Sequence, residues 1–516
     1  DMRILLLMRG VPGSGKSTFI KEQGLEPYTL SADALRLLYA SPMLDNAGRW
    51  CISPHFDKQM WPFLLQTMEE RMKRGCFTVV DATNIRGRDM TAYKKLANEY
   101  KYRVYVVDFT DVTIEEAKKR NLLREEYKQV PENVIERMYA QLADNKVPSG
   151  ITVELGKIWY KPRDLSAYKK VIHIGDIHGC YQPLKEYLEE INPQNYYIFL
   201  GDYIDRGREN AEVLQLLLQL AALDNVTLLE GNHEANLRDY GLADGVASKE
   251  FRMQSASELA QAGLSRKAVY NFYRKLSQCF CYTYQGKKVL VSHGGLARMP
   301  ENLSLVATAE LIYGTGVYED ALDVDMSFAK HATANEYQVH GHRNYEGVPA
   351  EVNEHCFNLD GAVEMGGQLR ALELSEDGFA VVTVGNALEY LDKKKSAKDS
   401  KANAEIENVQ QLLANFAGNP LIKEKSFGVI SSFNFTRDAF YNKAWDDVTC
   451  KARGLYINKL TEKIVARSYD KFFNLDERPE TKLNAFRHNL QFPVQAYVKV
   501  NGFLGIVGYD SAQKKL

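Results

Sequence analysis

The sequence has few cysteines and no pattern among them. Seven cysteines are scattered over 516 residues, and only Cys279 and Cys281 lie near each other, without a CxxC pair. This spacing argues against a disulfide framework and against a zinc finger, and it favours a reducing compartment. Long apolar runs are also missing, because the longest, residues 213–223, is interrupted by Gln215 and Gln219 and is too short to span a bilayer. We therefore expect a cytoplasmic protein without a membrane segment.

An excess of charge of one sign is missing too. The 65 Lys and Arg residues and 67 Asp and Glu residues leave a formal net charge of −2. This balance gives no overall attraction to nucleic acid, so any contact with nucleic acid would depend on local basic patches. The composition is otherwise that of a globular protein, with 45% apolar and 26% charged residues, and the length suggests about three domains.

The chain divides into three blocks and a connector. Residues 1–155 alternate β-type runs with helical stretches, the pattern of a parallel sheet. Residues 160–388 form a second α/β block, and we interpret the polar stretch 160–170 at its start as a linker. Residues 389–405 are charged and lack apolar periodicity, which predicts a solvated connector, and residues 406–516 form a third block rich in aromatic residues. The predicted fold class is α/β with several domains.

The first chemical motif follows the first β-type run. Gly10-Val-Pro-Gly-Ser-Gly-Lys16-Ser17 is a complete GxxxxGK[ST] pattern that precedes a helical run. In such a loop the glycines let backbone N–H groups wrap phosphates, the lysine neutralises the β/γ charge and the hydroxyl reaches Mg²⁺. The motif predicts a site for ATP and Mg²⁺ at residues Gly10, Gly13, Ser14, Gly15, Lys16, Ser17 and Thr18.

A candidate acceptor element follows the P-loop. Asp33 and Arg36 lie three residues apart, so on a helix they share a face, where a carboxylate can take a proton from a hydroxyl and a guanidinium can hold a phosphate. On their own, these two residues are more often a solvated ion pair. The block resembles the phage polynucleotide kinase family, in which a base-x-x-Arg element follows the P-loop in the same way.

Further elements of that family have counterparts here. Asp81 and Asn84 end and follow a β-type run, and Arg120-Asn-Leu-Leu-Arg124 is similar to the family's lid. The resemblance implies a P-loop kinase with a parallel sheet, in which Asp33 and Arg36 act on the acceptor and Asp81 and Arg120 help to bind the nucleotide. It also implies that Arg124 stabilises the charge on the transferred phosphoryl group.

The second block carries the most specific pattern of the chain. Five short motifs follow one another, and each begins at the end of a β-type run: Asp176-Ile-His178-Gly, Gly201-Asp202-Tyr-Ile-Asp205-Arg206-Gly, Gly231-Asn232-His233-Glu, Ser292-His293-Gly and His340-Gly-His342. Loops at strand ends can bring Asp, Asn and His side chains to two cations that clamp a phosphate and activate a water molecule. The pattern resembles the calcineurin-like metallophosphoesterases, which implies a β-sandwich with flanking helices.

That resemblance implies roles for individual residues. Asp202 would bridge the two cations, Asp176 and His178 would bind one of them, and Asn232, His293 and His342 would complete the pair. Among these ligands, oxygen and imidazole favour Mn²⁺, Fe or Zn²⁺ over Ca²⁺, and Mn²⁺ is our first candidate. His233 would protonate or orient the leaving oxygen, and Arg206 would bind phosphate oxygens. The sequence 357–367 resembles closing strands of the same fold, for which we expect no chemistry.

The third block resembles part of a phage-type RNA ligase. Lys499-Val-Asn501-Gly502 is similar to the KxDG/KxNG motif of nucleotidyltransferases, in which the lysine becomes adenylylated. Upstream, Arg453 and Lys471 lie in stretches similar to those that help to hold the nucleotide in these ligases. Only 17 residues follow Lys499, so the downstream ligase motifs are absent. We expect the ligase module to be incomplete and the chain to be part of a longer protein.

The combination of motifs resembles the bacterial polynucleotide kinase-phosphatase-ligase proteins of RNA repair. Such a protein would phosphorylate 5′-OH ends and remove 3′-phosphate or 2′,3′-cyclic phosphate, and its partner would be RNA with broken ends, with tRNA as a candidate. A homodimer and an RNA-methyltransferase partner are left open, the latter because the ligase segment is of the phage type. Two alternative functions are a nucleotide-signalling kinase fused to a dinucleotide polyphosphate hydrolase and an inactive scaffold that binds RNA ends.

Overall fold

A computed structural model describes residues 2–145, 154–344, 353–386 and 408–483, together with residues 485, 505–508, 510 and 513. The chain forms two compact units, Asp1–Leu388 and Glu389–Leu516. We call residues 2–145 the N-terminal lobe and residues 154–386 the central lobe, both within the first unit. The predicted connector 389–405 lies outside the described residues. Within the described ranges, no helix is both long and apolar enough to cross a membrane.

The N-terminal lobe is built on a four-stranded sheet in the order β2-β5-β1-β6. All three strand pairs are parallel, and every residue of the central strand β1 is buried, as expected where helices cover both faces. The strands are β1 (Ile4–Arg9), β2 (Thr29–Ser31), β5 (Thr78–Asp81) and β6 (Arg103–Asp108), with a separate hairpin of β3 (Met43–Leu44) and β4 (Trp50–Cys51). The helices are α1 (Lys16–Glu22), α2 (Ala32–Tyr39), α3 (Asp57–Lys73), α4 (Gly87–Glu99), α5 (Ile114–Leu122) and α6 (Glu132–Asp144).

The central lobe is a sandwich of two five-stranded sheets, in the orders β10-β9-β8-β15-β16 and β14-β13-β12-β11-β7. Its strands are β7 (Arg163–Asp164), β8 (Lys170–Ile174), β9 (Asn195–Phe199), β10 (Val226–Leu228), β11 (Cys279–Tyr284), β12 (Lys287–Ser292), β13 (Glu336–His340), β14 (Cys356–Asn358), β15 (Gln368–Ser375) and β16 (Gly378–Gly385). Its helices are α7 (Tyr181–Leu188), α8 (Asn210–Leu220), α9 (Glu234–Gly241), α10 (Ala256–Gln261), α11 (Arg266–Lys275), α12 (Thr308–Tyr313) and α13 (Ala321–His331).

Two apolar cores hold the central lobe together. Side chains from both sheets, including Ile198, Tyr282, Val289 and Leu372, pack into one core between the sheets. A second core forms where helices such as α8 and α11 cover the outer face of the first sheet. The predicted β-sandwich with flanking helices is confirmed, as is the parallel sheet of the N-terminal lobe.

The stretch 160–170, interpreted above as a linker, is part of the sandwich. Strand β7 pairs with β11 in parallel, and Leu165 is completely buried in the core between the sheets. The Tyr160 hydroxyl accepts a hydrogen bond from the Cys281 backbone N–H at 2.8 Å. The linker interpretation was therefore wrong: both residues of the edge strand β7 are polar and exposed, so the composition did not reveal the strand or the one buried leucine that follows it.

The two lobes are joined by a buried ion pair. Arg3, directly before β1, donates to both carboxylate oxygens of Glu230 at 3.2 and 3.3 Å. The Tyr273 hydroxyl and the Gln278 side chain also donate to Glu230. Glu230 directly precedes Gly231-Asn232-His233, so this contact connects the start of one lobe to a predicted ligand loop of the other.

Breaking this pair is expected to destabilise the protein strongly. Arg3→Met would leave the Glu230 carboxylate buried without its cation, which costs about 3–5 kcal/mol in comparable sites. We expect a clear drop in the urea midpoint of the first unit. The exposed pair of Lys73 and Glu70 provides a matched control, and Lys73→Ala should leave the midpoint nearly unchanged. Equal, small effects of both substitutions would contradict a structural role for Arg3.

The second unit contains a four-stranded antiparallel sheet in the order β17-β18-β19-β20. Its elements are α14 (Val409–Phe416), β17 (Ile422–Phe427), β18 (Ile430–Phe435), α15 (Arg437–Tyr441), β19 (Leu455–Asn458) and β20 (Lys463–Arg467). Leu412 and Phe416 of α14 pack with Phe433, Leu455 and Ile457 of the sheet, which gives this unit a core of its own.

Candidate active sites

The P-loop connects β1 to α1 and depends on two glycines. Gly13 and Gly15 have φ values of 81° and 101°, which side chains with a Cβ rarely adopt. A Cβ on Gly13 would also lie 2.1 Å from the Ala117 carbonyl oxygen, so this position has no room for one. The remaining residues of the predicted motif, Gly10 to Thr18, run from the strand end into the first turn of α1.

Lys16 and Ser17 make hydrogen bonds of the kind expected in a nucleotide-binding site. The Lys16 ammonium is buried and donates to the Gly10 and Val11 carbonyl oxygens at 2.9 Å each. Burial lowers the pKa of Lys16 to about 8. The Ser17 hydroxyl donates to Asp81 Oδ2 at 2.9 Å, which brings a hydroxyl and a carboxylate oxygen together at the carboxyl edge of the sheet. Oxygen pairs of this kind fit Mg²⁺.

Asp33 and Arg36 form a positioned pair, as their spacing on α2 predicts. Arg36 Nη1 donates to Asp33 Oδ1 at 2.8 Å. Arg36 also donates to both carboxylate oxygens of Asp57 at 2.7 and 3.1 Å, a two-point contact that fixes the plane of the guanidinium. Asp57 was not found from the sequence, because it lies 21 residues from Arg36 at the start of α3.

The two lid arginines approach the same region. Arg124 Nη2 lies 3.8 Å from Asp33 Oδ2. Arg120 Nη1 would lie 3.5 Å from a Cβ placed on Gly15, so this guanidinium is next to the P-loop. The structure thus brings the P-loop, Asp33 and both arginines together, an arrangement that can hold a nucleotide phosphate close to an acceptor hydroxyl.

The second site lies on loops at the strand ends of the sandwich. Asp202 is at its centre, because His293 Nε2 lies 3.2 Å and His178 Nε2 3.6 Å from Asp202 Oδ2. Two groups of potential metal ligands share Asp202: one with His178 and His233, and one with His293 and His342. This geometry agrees with a bridging carboxylate between two cations.

The neighbours of the Asn232 side-chain amide indicate whether this cluster suits a divalent cation. One amide atom lies 3.3 and 3.2 Å from the two Asp202 carboxylate oxygens, 3.2 Å from His293 Nε2 and 3.0 Å from His342 Nδ1. If that atom is nitrogen, it can donate to these neighbours; if it is oxygen, it faces the two Asp202 carboxylate oxygens, and a cation between them would make the contact favourable. Ligand atoms about 2.0–2.2 Å from one metal ion are spaced in this way. The donor set therefore fits a divalent cation.

Asp176 lies beside the same cluster, with its Oδ2 4.0 Å from His178 Nε2. Both of its carboxylate oxygens accept hydrogen bonds from the His342 backbone N–H, at 3.2 and 3.1 Å. Burial raises the pKa of Asp176 well above its ordinary value, and the nearby Asp360 carboxylate adds to this effect. A cation at this position would offset the burial of so much negative charge.

Several ligand positions are held in a left-handed backbone conformation. His178, Asp202 and His342 have φ values of 45°, 53° and 65°. Residues without glycine's freedom adopt this conformation at some cost, and such positions concentrate at functional sites. The strain here serves to aim three side chains from different loops at one point.

His233 and Arg206 each have a carboxylate partner. His233 Nδ1 lies 2.7 Å from the buried Asp205 Oδ2, which makes Nδ1–H the donor and leaves Nε2 for a substrate. Burial lowers the pKa of His233, but the Asp202 and Asp205 carboxylates outweigh it and raise the pKa to about 9. Arg206 Nη1 donates to Glu364 Oε1 at 3.1 Å.

Replacing His233 should affect substrates according to their leaving groups. An alkoxide leaving group needs a proton, and general acid assistance is worth about 10²–10⁴-fold, whereas an activated aryl phosphate needs little help. His233→Ala should therefore reduce hydrolysis of an alkyl phosphate monoester far more than hydrolysis of p-nitrophenyl phosphate. The exposed His331 offers a control, and His331→Ala should change neither rate. Equal losses on both substrates would assign His233 to metal positioning instead.

The ligase-type residues lie in the second unit. Arg453 Nη1 donates to the Tyr469 carbonyl oxygen at 3.0 Å, and its guanidinium lies 4.8 Å from the centre of the Phe472 ring. The Lys471 ammonium lies 4.2 Å from the centre of the Phe473 ring. Lys499, Asn501 and Gly502 are outside the described residues, so their predicted role stays a prediction.

Three family models match the chain. Residues 5–144 match an AAA domain, residues 169–344 a calcineurin-like phosphoesterase and residues 451–515 an RNA ligase. The chain combines these three kinds of domain in that order. The resemblance to the kinase-phosphatase-ligase proteins is thereby confirmed. Domains of these kinds support enzymatic processing of nucleic-acid ends, and the first two imply a nucleotide and divalent cations.

Individual proteins are similar to parts of the chain. The chain is 28% identical over 200 residues to the serine/threonine-protein phosphatase PP2A-like PPG1 of Candida albicans, a match over 35% of this chain and 44% of that protein. It is 25% identical over 236 residues to the asymmetrical bis(5′-nucleosyl)-tetraphosphatase PrpE of Oceanobacillus iheyensis, over 41% of this chain and 92% of that protein. A Saccharomyces cerevisiae serine/threonine phosphatase structure matches at 17% identity and a TM-score of 0.31, over 44% of this chain and 82% of that one.

Proposed function

We propose that this protein heals broken RNA ends. The N-terminal lobe would phosphorylate 5′-OH ends with ATP and Mg²⁺, and the central lobe would remove 3′-phosphate or 2′,3′-cyclic phosphate with two divalent cations, Mn²⁺ being the first candidate. The observation that carries the proposal is the presence, in one chain, of a P-loop whose Lys16 interacts electrostatically with Asp33, a metal-ligand cluster around Asp202, and a segment that matches an RNA ligase.

The N-terminal lobe has the groups that a hydroxyl kinase needs. Asp33 can accept the proton of the attacking 5′-hydroxyl, and Arg36 can hold the adjacent phosphate of the acceptor. Lys16, Arg120 and Arg124 can stabilise charge on the transferred phosphoryl group. A bound Mg²⁺ would neutralise phosphate charge beside Ser17 and Asp81.

The central lobe has the groups that a phosphomonoesterase needs. The two cations would supply Lewis acidity and an activated water molecule. The chain itself orients the phosphate through Arg206, which Glu364 holds, and provides a proton for the leaving oxygen through His233, which Asp205 holds.

The ligase segment supports RNA ends as the substrate. A ligase joins a 5′-phosphate to a 3′-OH, whereas many ribonucleases leave 5′-OH and 2′,3′-cyclic phosphate ends. Kinase and phosphatase reactions are the two steps that make such ends ready for joining. Without the ligase match, the metal site alone would fit many phosphate esters.

A second candidate is hydrolysis of dinucleoside polyphosphates by the central lobe. The match to a bis(5′-nucleosyl)-tetraphosphatase over 92% of that protein's length favours it. The two functions predict different substrate rankings. We therefore suggest measuring kcat/KM of the Mn²⁺-loaded protein for an RNA 3′-phosphate, diadenosine tetraphosphate and a phosphoserine peptide. The healing proposal expects the RNA to rank first, and a strong preference for the tetraphosphate would overturn it.

A further inference from the structure

An exposed cluster of rings lies beside the acceptor residues of the N-terminal lobe. Tyr39 stacks on Phe56 with ring centres 6.1 Å apart and an angle of 14°. Phe63 meets Tyr39 edge to face at 6.2 Å, and His55 meets Phe56 in the same way at 5.1 Å. Tyr39 is 40% and Phe63 37% exposed, so these rings are only partly covered by the protein. We call Tyr39, His55, Phe56 and Phe63 the aromatic ledge.

The ledge is part of a larger exposed apolar surface. Leu38 at the end of α2, and Met43, Leu44 and Trp50 in the segment between α2 and α3, are each at least 47% exposed. Single exposed apolar residues are common and need no explanation, whereas a run of them with stacked rings marks a contact surface. This surface therefore calls for an occupant.

The position of the ledge identifies the kind of occupant. Tyr39 follows Arg36 by one turn of α2, and Phe56 directly precedes Asp57, which holds Arg36. The Arg36 guanidinium itself lies 5.7 Å from the centre of the Trp61 ring. The aromatic ledge is thus directly adjacent to Arg36 of the acceptor site.

The hairpin of β3 and β4 connects the same surface to the lid. The Ile52 backbone N–H donates to the Tyr127 carbonyl oxygen at 3.1 Å, three residues after Arg124. An acceptor chain that starts at Asp33 and passes Arg36 would therefore run along the rings with the lid beside it. Arg36 uses some of its N–H groups on Asp33 and Asp57, and others are left for a phosphodiester.

We propose that the aromatic ledge stacks the bases that follow the 5′-terminal nucleotide of a single-stranded polynucleotide acceptor. A guanidinium followed by stacked rings can bind a phosphate and then the neighbouring bases. Stacking on the rings accepts any base, because each base has a π-face. This inference rests on the proposed kinase function. It adds a preference for polynucleotides over mononucleotides to that function.

The test compares two acceptors that would both bind at Asp33 and Arg36 but differ in length. Wild type and Tyr39→Ala protein are given a 5′-OH hexanucleotide or a nucleoside 3′-monophosphate, and kcat/KM is measured for each. We expect the ratio of hexanucleotide to mononucleotide kcat/KM to fall about tenfold in Tyr39→Ala, as loss of one stacking contact implies. Tyr39→Phe, which keeps the ring, should restore the ratio.

Two further variants keep the test decisive. Asn98→Ala is the matched control, since Asn98 is an exposed residue of α4 in the same lobe but outside this apolar surface, and its ratio should equal that of wild type. If Tyr39→Ala folds poorly, Phe56→Ala should give the same fall in the ratio, and the urea midpoint of each variant reports its folding.

The possible outcomes separate the inference from the function on which it rests. An unchanged ratio in folded Tyr39→Ala and Phe56→Ala proteins would overturn the ledge. So would a change from dimer to monomer with no change in the ratio, which would make the ledge a contact between two copies of this chain. Failure of the wild type to phosphorylate either acceptor would instead overturn the kinase proposal.

Discussion

Asp202→Ala is expected to lower removal of 3′-phosphate by about 10³-fold or more. Asp202 is the one carboxylate shared by both groups of potential ligands, and two cations supply several kcal/mol of transition-state stabilisation that would be lost with their common ligand. Phosphorylation of 5′-OH ends by the same protein should persist, because the P-loop site shares no residue with this cluster. The measurement follows both ends of one RNA with time.

Asp377 provides the control for this result. It is an exposed aspartate of the same lobe, in the turn between β15 and β16, and Asp377→Ala should keep both activities. Loss of cation binding in Asp202→Ala can be followed independently by metal analysis of the purified protein. Wild-type rates and metal content in Asp202→Ala would contradict the bridging role.

Asp33→Ala is expected to lower 5′-phosphorylation by about 10²–10⁴-fold, the usual contribution of a general base. The structure makes this substitution informative, because Asp57 still holds Arg36 at two points after Asp33 is removed. The acceptor's phosphate contact is thereby kept while the proton acceptor is lost. We expect the loss to appear in kcat more than in KM.

Removal of 3′-phosphate should be unchanged in Asp33→Ala, and Asp111→Ala, a change of an exposed aspartate in the same lobe, should affect neither end. A KM effect alone would show that Asp33 binds the acceptor instead of activating it. Loss of both activities in a folded Asp33→Ala protein would argue against two independent sites.

The groups of the two sites could be predicted because their residues occur in short motifs. Each ligand motif of the central lobe follows a β-strand or a strand-like run, so a contiguous pattern specified which loops would meet. The same holds for the P-loop between β1 and α1. What the sequence could not specify is which distant carboxylate pairs with each arginine or histidine side chain of the sites.

Three carboxylates illustrate that limit. Asp57 binds Arg36 across 21 residues, Asp205 binds His233 across 28, and Glu364 binds Arg206 across 158. Glu364 lies in the stretch for which we expected no chemistry, and its contact with Arg206 shows that this stretch supports the site. Asp205 stands inside a motif, but only the fold reveals its partner.

The interpretation of residues 160–170 as a linker was wrong for a different reason. Its polar composition is that of a linker, and a two-residue edge strand has no periodicity to detect. Only its pairing with β11 and the burial of Leu165 show its place in the sandwich.

The most direct test of the healing proposal is to follow both ends of one RNA. An oligonucleotide with a 5′-OH and a 2′,3′-cyclic phosphate is incubated with this protein, ATP, Mg²⁺ and Mn²⁺, and both termini are analysed by mass. We expect a gain of one phosphate at the 5′ end and loss of the phosphate at the 3′ end. Unchanged RNA termini in a preparation that hydrolyses both ATP and p-nitrophenyl phosphate would contradict RNA end healing as the function of this protein.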